Sequence, residues 1–202
     1  MTLWRGDKPL VLASQSRSRL ALLQQAGLAC AAIPADIDER TIQQSSGLTL
    51  PGDVARLLAC EKARAVAKSQ PGHLVIGADQ TLALGSRLFN KPAGRAEAFD
   101  QLQALAGHAH ELHSAVAVAR DGDILFAHVV VARLSMRALA ATEISAYLDA
   151  AGDAVTTTVG AYQLEKLGVH LFERIEGDHF TILGLPLLPL LAFFRDQGVL
   201  AF

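Results

Sequence analysis

The sequence predicts an α/β fold, a mixed β-sheet flanked by helices. Two observations predict it. In the first half, short apolar runs ending in turn residues alternate with stretches of helical period. In the second half, longer strand-like runs are joined by tight turns, so antiparallel pairs join the early crossovers. The 202 residues suit one domain, residues 1–202, with room for two lobes around a cleft. Hydrophobic residues at 51% and charged residues at 19% supply a core and exclude disorder.

The elements follow in order. Leu10 to Ala13 is a short buried strand. After Ser14-Gln15-Ser16-Arg17-Ser18, the apolar spacing from Arg19 to Ala26 is helical, with Gly27 as its stop. Ala29 to Pro34 reads as a second strand. Asp36-Ile37-Asp38-Glu39-Arg40 opens a polar loop that runs through Ser45, Ser46 and Gly47. Pro51-Gly52-Asp53 starts a helix in which Val54, Leu57, Leu58, Glu61 and Ala65 recur with helical period to about Lys68. Leu74 to Ala78 is a buried strand with Asp79 at its exit, and Thr81 to Phe89, with Gly85-Ser86 in the middle, is a hairpin. Arg95 to Ala106 is a helix closed by Gly107. His110 to Arg120 and Ile124 to Leu139 are strands joined through Asp121-Gly122, a strong hairpin turn. Thr142 caps a helix reaching Leu148, Val169 to Ile175 is a strand, and Leu188 to Arg195 is the final helix.

Several function classes lose support. A formal net charge of −2 does not suit a protein that coats nucleic acid, although a few placed cations still bind a small anion. Cys30 and Cys60 have no metal or redox spacing and fit a reducing compartment. The N-terminus has no signal-peptide pattern. The longest apolar stretch, Ile182 to Phe194, contains Pro186 and Pro189 and falls short of the roughly 20 residues a bilayer needs. The expected location is the cytoplasm, with no membrane or nucleic-acid partner.

Four groups of residues could carry chemistry. Ser14, Ser16 and Arg19 stand where a strand turns into a helix, and a helix N-terminus with hydroxyls and a guanidinium is a phosphate cradle. Plain capping accounts for the same serines. Asp79 leaves a buried strand, where an acid can hold a divalent metal or orient water, or simply cap a turn. Lys62 borders the apolar face of its helix and Lys91 precedes Pro92 in a loop; either could neutralise phosphate, and either could be a solvated surface lysine. Asp36, Asp38 and Glu39, with Glu165 and Asp178 further on, are acids suited to magnesium, which takes few carboxylates plus water and phosphates. For Asp36 and Asp38 a solvated acidic loop is the favoured explanation.

Other signals fail. His108, His110 and His113 lack zinc-protease spacing, and in a strand His113 faces away from His110. There is no Walker A loop, no Gly-x-Gly-x-x-Gly and no Gly-x-Ser-x-Gly elbow.

Taken in order, the pieces resemble the Maf family of nucleotide pyrophosphatases. The matching stretches are Leu12-Ala13-Ser14-Gln15-Ser16 with Arg19, Asp38-Glu39, Glu61-Lys62-Ala63 and Ile76-Gly77-Ala78-Asp79. Lys91-Pro92, Gly107 with His110, Gly160-Ala161-Tyr162 and Gly184-Leu185-Pro186-Leu187 continue the set. No single piece is specific, whereas the ordered set, spanning nearly the whole chain, is. The resemblance implies an elongated, mixed α/β fold of two lobes around a deep cleft, similar to that of inosine triphosphate pyrophosphatases. It implies cleavage between the α- and β-phosphates of a nucleoside triphosphate with Mg2+ or Mn2+. Asp79 matches the acceptor that activates water. Ser14, Ser16, Arg19, Lys62 and Lys91 match positions lining the triphosphate site, and Glu39 matches an acid that partners the metal with Asp79.

The sequence departs from the commonest family pattern. The usual Ser-x-Ser-Pro-Arg-Arg is Ser14-Gln15-Ser16-Arg17-Ser18-Arg19, one arginine short. Asp-Thr is Asp79-Gln80, a common lysine is Thr158 and a later glutamine is Glu165. Gln80 and Glu165, with Leu171 to Gly177, look more like the branch acting on 7-methyl-GTP than the one acting on dTTP and UTP. A carboxylate at Glu165 facing a base suits a cationic methylated purine. The rival from another class is a nucleotide-binding regulator of cell division without turnover. A general phosphatase is a third, distinguished by release of orthophosphate. A homodimer is the expectation from the prevalence of symmetric pairs.

Overall fold

The computed structural model describes residues 3–202. Among them, seven strands form one sheet in the order β2-β1-β3-β5-β6-β7, with β4 paired to β3. The strands are β1 (Leu10–Leu12), β2 (Cys30–Ala32), β3 (Val75–Leu84), β4 (Arg87–Phe89), β5 (Ala109–Arg120), β6 (Asp123–Met136) and β7 (Phe172–Glu176). The helices are α1 (Arg17–Gln25), α2 (Glu39–Ser46), α3 (Pro51–Ser69), α4 (Arg95–Leu105), α5 (Ala141–Ala151), α6 (His179–Ile182) and α7 (Leu187–Asp196). β1 pairs in parallel with β2 and β3, whereas β4 with β3 and β7 with β6 are antiparallel. The predicted mixed sheet flanked by helices is therefore the observed fold class. No described helix is long and apolar enough to cross a membrane.

The chain divides into two compact units. The first comprises Met1–Gln80, Ser114–Val130 and His179–Phe202, and the second Thr81–His113 and Val131–Asp178. In the first, alternation along β1 sends Leu10 and Leu12 into one core with Leu22, Leu23, Leu190 and Phe194. Val11 and Ala13 enter another with Ala55, Ala59, Ala63 and Ala67 of α3. Those alanines, four apart, form a smooth helical stripe. They meet Gly77 of β3, where an added Cβ would lie 2.1 Å from the Ala59 carbonyl oxygen and 2.7 Å from the Ala63 nitrogen. The glycine is required by this close approach of helix and strand. In the second unit, α4 packs on α5, and Leu82, Phe89, Leu102, Leu112, Leu134 and Leu148 are buried.

Five local expectations are corrected. The segment after Asp38 is a helix, α2, rather than a polar loop. Asp38 accepts from the Thr41 amide at 3.0 Å, and Gly47, at φ 67°, ends the helix. Apart from Ile42 its residues are polar and none is buried, so it carries no apolar period to read. β3 does not end at Asp79 but runs on to Leu84, pairing Leu82 with Phe89, because a buried acid matched by a cation does not interrupt a strand. α1 starts two residues early, at Arg17, with Ser16 as its cap. Thr142 lies inside α5, and the cap is the Glu143 carboxylate accepting from the Ala140 amide at 2.8 Å. β7 begins only at Phe172, since Leu167–Leu171 coils into a 3-10 turn.

Candidate active site

In the first unit, four elements bring charged side chains together. β1 leads into the Ser14–Ser16 turn. Ser14 Oγ accepts from the Ser16 amide at 3.1 Å, and Ser16 Oγ accepts from the Arg19 amide at 3.3 Å. The capping role is thus real. Each hydroxyl proton remains able to point elsewhere.

Arg19, one turn into α1, folds its guanidinium back across the sheet. Nε donates to the Gly184 carbonyl and Nη1 to the Ala78 carbonyl, both at 2.8 Å, and Nη1 also reaches Ser14 Oγ at 3.4 Å. The arginine therefore ties β1, β3 and the segment after α6 at one point. Burial pushes its pKa down, opposed by the nearby carboxylates of Asp79 and Glu39. It stays charged, as guanidinium does in proteins. Gly184 has φ 88°, and a Cβ there would stand 3.2 Å from Arg19 Nε. The loop carbonyl can approach the guanidinium so closely because that position is glycine.

Lys62 projects from α3 with its side chain only 10% exposed. Its ammonium donates to Asp79 Oδ1 at 2.6 Å and meets Glu39 Oε2 at 2.9 Å. Asp79 is buried on β3, while Glu39, in the first turn of α2, is half exposed. The solvated fate common for lysine does not apply here, because two carboxylates accompany the charge inside. Two cations and two anions, Arg19, Lys62, Asp79 and Glu39, thus form a formally neutral cluster.

Gln80, which the sequence marks as a departure from the commonest family pattern and as a likeness to the 7-methyl-GTP branch, sits next to Asp79. Its Nε2 donates to Ser114 Oγ at 2.8 Å and to the Thr181 and Ile182 carbonyls at 3.1 Å. Ser114 Oγ in turn donates to the Thr181 carbonyl at 2.6 Å. These bonds seat α6, just before Gly184. The strand alternation that turns Gln80 away from Asp79 is the one sequence signal for this role. Gly184 was marked in the sequence by the Gly184-Leu185-Pro186-Leu187 stretch, but nothing there pointed to its carbonyl.

The other candidates stand on other segments of the chain. Asp36 is exposed, and Asp38 serves as the α2 cap. Hydrogen bonds from the Thr41 amide and hydroxyl hold the Asp38 carboxyl below the usual range. Lys91, Glu165 and Asp178 belong to the second unit. Lys91 is exposed after β4, and Glu165 is exposed between two 3-10 turns. His110 is buried beside Tyr162, whereas His113 meets Glu111. Among the described residues, no group of three or more His, Cys, Asp and Glu gathers as a metal cage.

Comparison with known proteins agrees with the ordered motifs. Residues 9–197 match the family described as Maf-like protein. A nucleoside triphosphate pyrophosphatase of Bradyrhizobium diazoefficiens is 68% identical over 201 residues, covering 100% of both chains. One of Rhodopseudomonas palustris is 65% identical, again over 100% of both. A 7-methyl-GTP pyrophosphatase of Brucella abortus is 51% identical, covering 93% of this chain and 96% of its own. With the family match covering almost the whole chain and identities this high over full length, the chain belongs to the Maf-like family.

Proposed function

We propose that this protein is a nucleoside triphosphate pyrophosphatase, hydrolysing the bond between the α- and β-phosphates to release a monophosphate and pyrophosphate. The observation that carries the reading is the convergence of Asp79 and Glu39 on Lys62, with Arg19 beside them. The names of the relatives matched over their whole length support the same activity.

The chemistry is attack of water on the α-phosphorus as the bridging oxygen leaves with pyrophosphate. Asp79 takes the water's proton, a role open to a buried carboxylate. Lys62 and Arg19 stabilise charge on the phosphoryl oxygens. The Ser14–Ser16 turn, at the N-terminus of α1, binds phosphate through hydroxyls and backbone amides. Lys91 and Glu165 are proposed for phosphate and base recognition. The carboxylates of Asp79 and Glu39 match the ligand chemistry of Mg2+ or Mn2+, which accept one or two carboxylates with phosphates and water. Such an ion would neutralise phosphate charge. We further place the protein in the cytoplasm, as its free cysteines suit, acting on small nucleotides rather than nucleic acid, with a homodimer as its expected assembly.

The test is release of pyrophosphate from a panel of 7-methyl-GTP, UTP, dTTP and ITP with Mg2+ or Mn2+. Pyrophosphate from at least one nucleotide is expected, and 7-methyl-GTP is the first candidate, as Gln80, Glu165 and the Brucella relative's name support. Orthophosphate as the direct product would mean a phosphatase instead. Tight binding without product would mean a regulator.

A further inference from the structure

We propose that Lys62 is a resident counter-cation that keeps the Glu39–Asp79 carboxylate pair closed to a free divalent metal, so that metal enters only together with the nucleotide's phosphates. This rests on the reading above, that the pair serves a metal–nucleotide complex.

Three observations carry it. First, the ammonium occupies the point where the two carboxylates converge, at 2.6 Å from Asp79 and 2.9 Å from Glu39. Second, the cluster is already balanced, with Arg19 and Lys62 set against Asp79 and Glu39. A bare dication must displace the ammonium, and it leaves Lys62 as an unpaired charge in a side chain only 10% exposed. An uncompensated buried charge is strongly unfavourable. Third, the described residues bring no third His, Cys, Asp or Glu to the pair. Two carboxylates alone bind magnesium-like ions weakly, because such ions complete their shell with phosphate and water.

A triphosphate removes the obstacle. Its oxygens give the Lys62 ammonium new partners, so the flexible lysine stem swings without losing its charge compensation. The freed carboxylates then face a metal that already carries phosphate. Glu39 is half exposed on α2, whereas Asp79 is buried in β3 and is the anchor.

Binding of Mn2+, read from its free-ion electron paramagnetic resonance signal, tests this without turnover. Wild type alone should bind Mn2+ weakly. An α,β-methylene nucleoside triphosphate, which cannot be cleaved, should tighten binding at least tenfold beyond what that nucleotide binds by itself. Lys62→Met without nucleotide should bind Mn2+ at least tenfold more tightly than wild type. Adding Asp79→Asn to it should abolish the gain. Lys62→Arg, which keeps the charge, should stay weak. Equal Mn2+ affinity in wild type and Lys62→Met, both folded by circular dichroism, would overturn the proposal. If Lys62→Met does not fold, Lys62→Gln takes its place. Tight nucleotide-free binding by wild type is decisive against it in any case. The two readings fail separately. Pyrophosphate release by a wild type that binds free Mn2+ tightly sinks only the role of Lys62. No release from any nucleotide sinks the enzymatic reading, while the nucleotide-free Mn2+ comparison still decides what Lys62 does.

Discussion

The buried polar groups of the two units solve one problem in opposite ways. In the first unit, Lys62, Asp79 and Arg19 are kept as charges, each matched by an opposite charge or by carbonyls. In the second, His110, Tyr162 and Tyr147 are kept neutral. His110 Nε2 lies 2.7 Å from the Tyr162 hydroxyl, and Phe172 packs on both rings. Burial pulls the His110 pKa down to about 4 and pushes that of Tyr147 up to about 12, with Tyr162 raised as well. A charge taken from water has an unavoidable desolvation cost, so a fold retains one inside only with partners. The second unit avoids that cost by neutralisation. The first bears it, and that is where the phosphate chemistry is proposed.

The sharpest way to break the contrast is to remove charge where it is kept. Asp79→Asn preserves shape but not basicity. Pyrophosphate release should fall about 10²- to 10⁴-fold, the usual contribution of a positioned acid or base. Circular dichroism should remain that of a folded protein. Near wild-type rates would end the assignment.

Geometry comes next. Gly77→Ala sets a methyl 2.1 Å from the Ala59 carbonyl, which α3 cannot escape without moving Lys62 as well. Overpacking of this kind should cost about 3 kcal/mol. A denaturant titration should register that loss, and turnover should fall with it; unchanged stability would mean that helix and strand are less closely apposed.

The neutral unit is probed by pH. His110 is neutral in the folded chain down to about pH 4, while an unfolded histidine takes its proton near 6.5. Between those values the unfolded chain binds more protons, so stability is full above 6.5 and erodes as pH falls towards 4. The shift is worth about 3 kcal/mol. Melting temperatures of wild type and His110→Gln across this window should converge as pH falls; parallel curves would refute the assignment.

The smallest effect belongs to the α1 cap. Ser16→Ala deletes the acceptor for the Arg19 amide and should cost about 1 kcal/mol. If Ser16 also touches phosphate, KM should rise by more than that stability loss explains. A pure cap leaves KM unchanged.

Much of this was legible in one dimension. Alternation and helical period marked β1, α3, the Asp121-Gly122 hairpin and α7 closely, because those elements each bury a face that the spacing of apolar residues reveals. α2 escaped, since its stability rests on an Asp38 cap, a Gly47 stop and packing on α3. Asp79 read as the end of a strand because a lone acid cannot announce the lysine that accompanies it.

Local order and composition were enough to determine the type of fold, the family resemblance, and Ser14, Arg19, Glu39, Lys62 and Asp79 as candidates. Only tertiary structure decided that Lys62 is buried between two carboxylates, that Arg19 holds the carbonyls of Ala78 and Gly184, and that Gln80 seats α6. The physical reason is that ion pairing and burial depend on distances between residues far apart in the chain. Lys62 and Asp79 are 17 positions apart, and Arg19 and Gly184 are 165 apart. No periodicity encodes such separations; they follow only once the alanine face of α3 has closed on Gly77.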